Sequence, residues 1–281
     1  MKRIILFSVI TALVMMISSC WPGSFPVVPR TLLIDDVHDN FYSSTFPFDF
    51  YEHYEELISE FQTKGYSVSL ASDVGFLPEN YGAVLIAVPT VQYSSAEKSS
   101  LSTLLGLGGK VIILGEWYGY YDNTPLNQIT ASIGLDIQFS NNELMDNVHN
   151  FAGVNYWITT TRLGSNPTTS GLGKIALFGA CSLSVGYDST IVASAEPTAF
   201  APISLESNSM DSSSGSDYDI RSYDPQVTIV VPVAAVANVG FGKVFAIGDS
   251  NIFADEPDSY IPGDYIDVFD NRRLLRNVIN W

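Results

Sequence analysis

Two stretches set the fold: Gly109-Lys110-Val111-Ile112-Ile113-Leu114-Gly115-Glu116 and Gly242-Lys243-Val244-Phe245-Ala246-Ile247-Gly248-Asp249. Each reads glycine, lysine, four apolar residues, glycine, carboxylate. An apolar run this short, bounded by glycines, suits a strand buried on both faces. Such a strand needs parallel neighbours beside it and helices above and below. The closing glycine and acid then lie just past the carboxyl end of the strand. In a parallel sheet, that edge is where ligand crevices form.

The flanking sequence alternates strands and helices. Thr31–Asp35 is a short buried strand ending in acids. Phe50 to Lys64 carries Tyr54, Leu57, Ile58 and Phe61 at helical spacing, with Gly65 as its C-cap. Tyr66–Ala71 and Ala83–Val88 are further strands, the latter stopped by Pro89. Ser94 and Ser95 can cap a helix running to about Leu107, and Thr124–Ile133 is another helix. At the far end, Asp270 can cap a helix bearing Leu274, Leu275, Val278 and Ile279. The pattern predicts an α/β fold: a three-layer αβα sandwich around a mostly parallel, flavodoxin-like sheet.

Between about 140 and 239 the composition shifts to Ser, Thr, Gly and Val, with short β-like runs at Ile175–Phe178, Thr190–Ala193 and Val227–Val236. This reads as a β-rich insertion before the last strand. The Ser/Asp tract Met210–Asp219 within it reads as an exposed loop.

The first residues read as an export signal. Lys2 and Arg3 precede an apolar stretch from Ile4 to Ile17, too short for a membrane span and right for a signal core. Its ending, Ile17-Ser18-Ser19-Cys20, resembles a bacterial lipobox, which implies cleavage after residue 19 and acylation, palmitate included, of Cys20. The alternative is an ordinary signal peptide with a chance cysteine. Residues 20–29 read as a proline-bearing tether and 30–281 as the folded domain. The expected setting is the cell envelope, with membrane attachment through the lipid on Cys20. Trp21 in place of an aspartate points to the outer membrane if the host is diderm.

Composition excludes several classes. Thirteen Lys+Arg stand against 30 Asp+Glu over 281 residues, for a formal charge of −17. Such a chain neutralises no phosphates, so nucleic acid is excluded as a partner, and electrostatic docking on anionic lipid is disfavoured. Hydrophobic residues at 46% rule out disorder across the chain. Two cysteines make neither a disulfide framework nor a cysteine-rich zinc site.

The strand ends supply the candidate site. Asp35, Asp36, Glu116 and Asp249 are expected on one edge, with His38, Trp117, Tyr118, Ser250 and Asn251 close by. The acids could hold Ca²⁺ or Mg²⁺, or could simply cap helices and face solvent. No cofactor is otherwise implied. The run Glu116-Trp117-Tyr118-Gly119-Tyr120-Tyr121-Asp122 offers amphipathic rings suited to a binding surface, or a loop folded onto the core with its hydroxyls satisfied. Gly179-Ala180-Cys181 superficially resembles a nucleophile elbow, yet only Lys174 is near in sequence to activate the thiol, so a buried structural cysteine is expected.

The order Leu32–Asp36, Ala83–Pro89, Gly109–Glu116 and Gly242–Asn251, closed by Asp270–Trp281, resembles the class I glutamine-amidotransferase-like superfamily. The nearer likeness is to its non-catalytic branch, found in gliding-motility and intraflagellar-transport proteins. The resemblance covers most of Arg30 to Ser140 and Val233 to Trp281. Catalytic members place a cysteine after the Gly-Lys strand and a histidine downstream. Here Gly115, Glu116 and Trp117 occupy that corner, and His38, His53 and His149 all precede Cys181. The resemblance therefore implies a binding or assembly module for an envelope protein or glycan. The alternative is a hydrolase using Asp35, Glu116 and Asp249 as acid and base, with or without a divalent metal.

Overall fold

The structure, a computed structural model, describes residues 28–40, 50–201, 230–255 and 263–281. The expected signal segment, Cys20, most of the tether and the Met210–Asp219 tract lie outside the described residues.

The first half alternates as its periodicity predicts: β1 (Thr31–Ile34), α1 (Phe50–His53), α2 (Glu55–Thr63), β2 (Ser67–Leu70), α3 (Ala71–Val74), β3 (Ala83–Ala87), α4 (Ser95–Gly106), β4 (Lys110–Leu114) and α5 (Thr124–Ser132). Short strands follow: β5 (Ile137–Phe139), β6 (Asn150–Phe151), β7 (Val154–Thr160), β8 (Ile175–Ala176), β9 (Leu183–Val185) and β10 (Ser189–Ser194). The chain closes with β11 (Pro232–Val239), β12 (Gly242–Ile247) and α6 (Asn271–Asn280).

Seven strands form the central sheet in the order β10-β11-β12-β4-β3-β1-β2. From β12 to β2 every pairing is parallel, and only β11 runs against its neighbours. Helices sandwich this sheet, giving the three-layer αβα architecture. Every residue of β3 and β4 is buried, so the apolar runs form the core between the helical layers.

The two quoted repeats are neighbours. β12 pairs with β4 in register, Lys243 opposite Lys110 and Ile247 opposite Leu114. This sets two lysines side by side at the amino end of the sheet. Lys110 Nζ donates to the carbonyls of Val278 (2.5 Å) and Ile279 (2.9 Å), and Lys243 Nζ donates to that of Trp281. The last turn of α6 leaves carbonyls without intrahelical donors, and cations are favoured at that end. The repeated lysines therefore clamp the closing helix onto the sheet.

Two helix boundaries differ from the sequence reading, and one agrees with it. The helix expected over Phe50–Lys64 is divided at Tyr54, whose ring is buried and whose hydroxyl donates to the Ser250 carbonyl at 2.9 Å. Asp270 does not cap α6; its Oδ2 instead accepts from the amides of Gly173 (2.7 Å) and Lys174 (3.1 Å). Ser94 does cap α4, in a reciprocal box with Glu97. The β-rich segment expected before the last strand divides in two: β10 and β11 extend the central sheet, while β5 pairs with β9 and β6, β7 and β8 make a second small sheet.

Candidate functional site

The strand ends bring the predicted residues to the same edge but sort them into two clusters. Glu116 follows β4 and Asp249 follows β12, so register alone makes them neighbours. Asp35 follows β1, two strands further along, roughly 10 Å away at the usual spacing of strands.

In the first cluster, Asp35 is fully buried. Its Oδ1 lies 2.7 Å from His38 Nδ1, and its Oδ2 accepts from the Tyr93 hydroxyl. The His38 ring stacks on Tyr93 at 3.7 Å between centroids and meets the edge of Phe76. On its other side, His38 Nε2 stands 3.4 Å from Glu97 Oε1. Burial opposes the imidazolium, but the hydrogen bond and charge of Asp35, helped by Glu97, outweigh it and hold the His38 pKa above its ordinary value. Asp36 turns away from this group and accepts from the Ser72 amide (2.8 Å) and hydroxyl (2.5 Å), closing the start of α3.

The second cluster surrounds Glu116. Its carboxylate accepts from the Ser250 hydroxyl (2.5 Å) and the Asn251 amide nitrogen (3.1 Å), and the Trp117 backbone N–H at 3.1 Å. Asp249 accepts from the backbone amides of Phe178 (2.6 Å) and Asn251 (2.9 Å), yet complete burial still pushes its pKa up. Asn123, which sequence reasoning missed, donates to the Glu116 carbonyl at 2.7 Å. Gly248 is required here. A Cβ in its place would lie 2.2 Å from the Cys181 carbonyl oxygen.

Cys181 itself is free and buried. Burial drives its pKa up, and the carboxylates of Glu116 and Asp249 drive it further in the same direction. Acids face this thiol, so it resembles a packed core residue and not an activated nucleophile.

The aromatic run divides between the two readings it allowed. Tyr121 is buried, donates to the Pro89 carbonyl at 2.5 Å and fills the space between the clusters. Tyr118 and Tyr120 are each 54% exposed. Trp117 stacks with Tyr120 (5.2 Å) and with Tyr156 (5.6 Å), within about 21° of parallel in both cases. Tyr156 comes from β7, so the stack joins the β4 corner to the β-rich segment. Between the clusters, β3 is followed by Val88 with φ +40°, which costs a β-branched residue about 1–3 kcal/mol. Two hydrogen bonds from Thr90 and Val91 to the His38 carbonyl hold the following turn.

The arrangement sets exposed tyrosine rings above a buried corner. Glu116, Asp249, Asp35 and Ser250 are at most 1% exposed, with oxygens already committed to protein donors. Among the described residues, no three His, Cys, Asp or Glu side chains are arranged to hold a metal ion.

No protein-family profile and no curated protein matches the chain. Solved structures do. The N-terminal domain of mmIFT52 superposes with a TM-score of 0.65 at 17% identity, over 89% of this chain and 96% of that one. A cytoplasmic protein from Salmonella typhimurium LT2 gives 0.50 at 12% identity, over 89% and 98%. A ThuA-like protein from Bacteroides uniformis gives 0.46 at 13% identity, over 93% and 94%. At these identities the likeness is one of fold.

Proposed function

We propose that this protein is a non-catalytic binding or assembly module of the cell envelope, held by a lipid on Cys20 and gripping a partner protein or glycan at the carboxyl edge of its sheet. The observation that carries this reading is the corner after β4. Where a nucleophile would stand, Glu116 is buried and tied to Ser250 and Asn251, and the rings just beyond it are exposed. Tyr and Trp rings supply large contact areas at low entropic cost and dominate many binding surfaces. The likeness in fold to the mmIFT52 domain supports the same reading.

A hydrolase would need a carboxylate able to meet substrate. The burial of Asp35, Glu116 and Asp249 weighs against that alternative.

The test places a photo-crosslinking residue at Tyr118 in the full chain and compares adducts with and without Trp117→Ala. Adducts to one envelope protein or glycan, lost on Trp117→Ala, are the expected result. Adducts that persist unchanged would remove the aromatic corner as the binding surface.

A further inference from the structure

The opposite edge of the sheet carries a second surface. There the chain leaves the domain at Val28 and Pro29, pressed against Gly82: a Cβ on Gly82 would lie 1.7 Å from the Pro29 carbonyl oxygen. Arg30 and Thr31 continue the grip, through Ser67 N–H to the Arg30 carbonyl (2.9 Å) and Gly82 N–H to the Thr31 carbonyl (3.1 Å). The exit point is therefore fixed. Around it stand three apolar side chains in water: Phe241 (72% exposed) at the tip of the β11–β12 hairpin, Leu107 (47%) after α4, and Val28 (38%). Val28 and Phe241 flank Gly108, where an added Cβ would touch both Val28 Cγ2 (3.3 Å) and Phe241 Cβ (3.8 Å), and Leu107 is the residue before that glycine. Single exposed apolar residues need no explanation, but a cluster at a fixed exit does.

We infer that this amino edge is the membrane-facing surface of the domain, with Phe241, Leu107 and Val28 resting in the bilayer interface. The inference rests on the lipoprotein reading above and deepens it. Seven residues lie between Cys20 and Val28, so the eight steps joining them span at most about 28 Å even in a fully extended chain. A domain of this length is about 45 Å across. An acylated Cys20 thus keeps the amino edge close to the lipid and cannot reach around to the carboxyl edge. Tethering makes the apolar contact intramolecular, so even a small patch is occupied. The contact is apolar, so the acidity of the chain does not oppose it on neutral lipid. The carboxyl edge, with its aromatic corner, then faces away from the bilayer toward whatever it binds.

The test uses the full chain, processed in a bacterial host and reconstituted into phosphatidylcholine vesicles. Incorporation of an alkyne-tagged fatty acid, absent in Cys20→Ala, reports the anchor. Phe241→Cys and, separately, Tyr118→Cys are labelled with an environment-sensitive fluorophore. The expected result is a blue-shifted, several-fold brighter signal at 241, quenched by spin-labelled lipid, with no change at 118. Leu107→Cys should behave like 241. Acylation with a 241 probe that stays in water would overturn the inference alone. A 241 signal that brightens with protein concentration and without vesicles would replace the bilayer with a second copy. Loss of acylation would overturn the anchor reading, and this inference with it.

Discussion

Cys181 shows how position decides chemistry at the scale of one residue. A thiol reacts as thiolate, and here burial and two carboxylates all disfavour that form. Iodoacetamide at neutral pH should leave Cys181 unmodified in the native protein and alkylate it once urea unfolds the chain, as read by mass spectrometry. Faster native alkylation than a model thiol would contradict the packing described. His38 makes an opposite case. Its pKa is raised in the folded state, so its contribution to stability is complete below the unfolded value of about 6.5 and is lost as pH rises through the higher folded value. Denaturant unfolding should therefore show wild type losing stability from pH 6 to 9 relative to His38→Gln. Parallel pH profiles for the two proteins would count against the Asp35–His38–Glu97 bridge. The nearness of Asp35 and His38 was legible from sequence, but the parts of Glu97 and Tyr93 were not. Tyr93 is 58 positions from Asp35, and no periodicity links them.

Among the elements, the repeated Gly-Lys strands were the most legible feature, and structure gives the repetition a cause. Two adjacent strands in register each present a lysine to the carbonyl end of α6. Lys110→Met should leave the Val278 and Ile279 carbonyls buried without their donor and cost about 2–3 kcal/mol, measurable by urea unfolding. Lys243→Met, at a half-buried position, should cost less. Helix ends were harder to read. Asp270 has the residue type of an N-cap, but its carboxylate is claimed by Gly173 and Lys174, almost a hundred positions earlier. Residue preference at a cap is local, and a distant pair of amides overrode it. Tyr54 likewise sits at helical spacing, but its hydroxyl bond to Ser250 accompanies a break in the helix.

Across the whole molecule, the apolar runs sufficed to place the parallel strands and both helical layers. They did not say where the Ser- and Thr-rich middle would go, because strand order is settled by long-range pairing that short runs do not encode. The answer matters for stability. With β10 and β11 hydrogen-bonded into the central sheet, the middle segment shares its core and should unfold with it. Far-UV circular dichroism and tyrosine/tryptophan emission should trace one coincident transition in guanidinium. Two separated transitions would mean that the middle folds as a unit of its own. The candidate site was legible as a list of residues at strand ends, but their division into two clusters was not, since it depends on β3 lying between β1 and β4.

The stack of Trp117 with Tyr120 and Tyr156 has one more consequence. Aromatic rings packed within 6 Å couple their electronic transitions, so this corner should contribute its own signal to the aromatic circular dichroism, lost in Trp117→Ala. Any visitor that parts the rings would change that signal, giving the molecule a built-in, label-free gauge of occupancy.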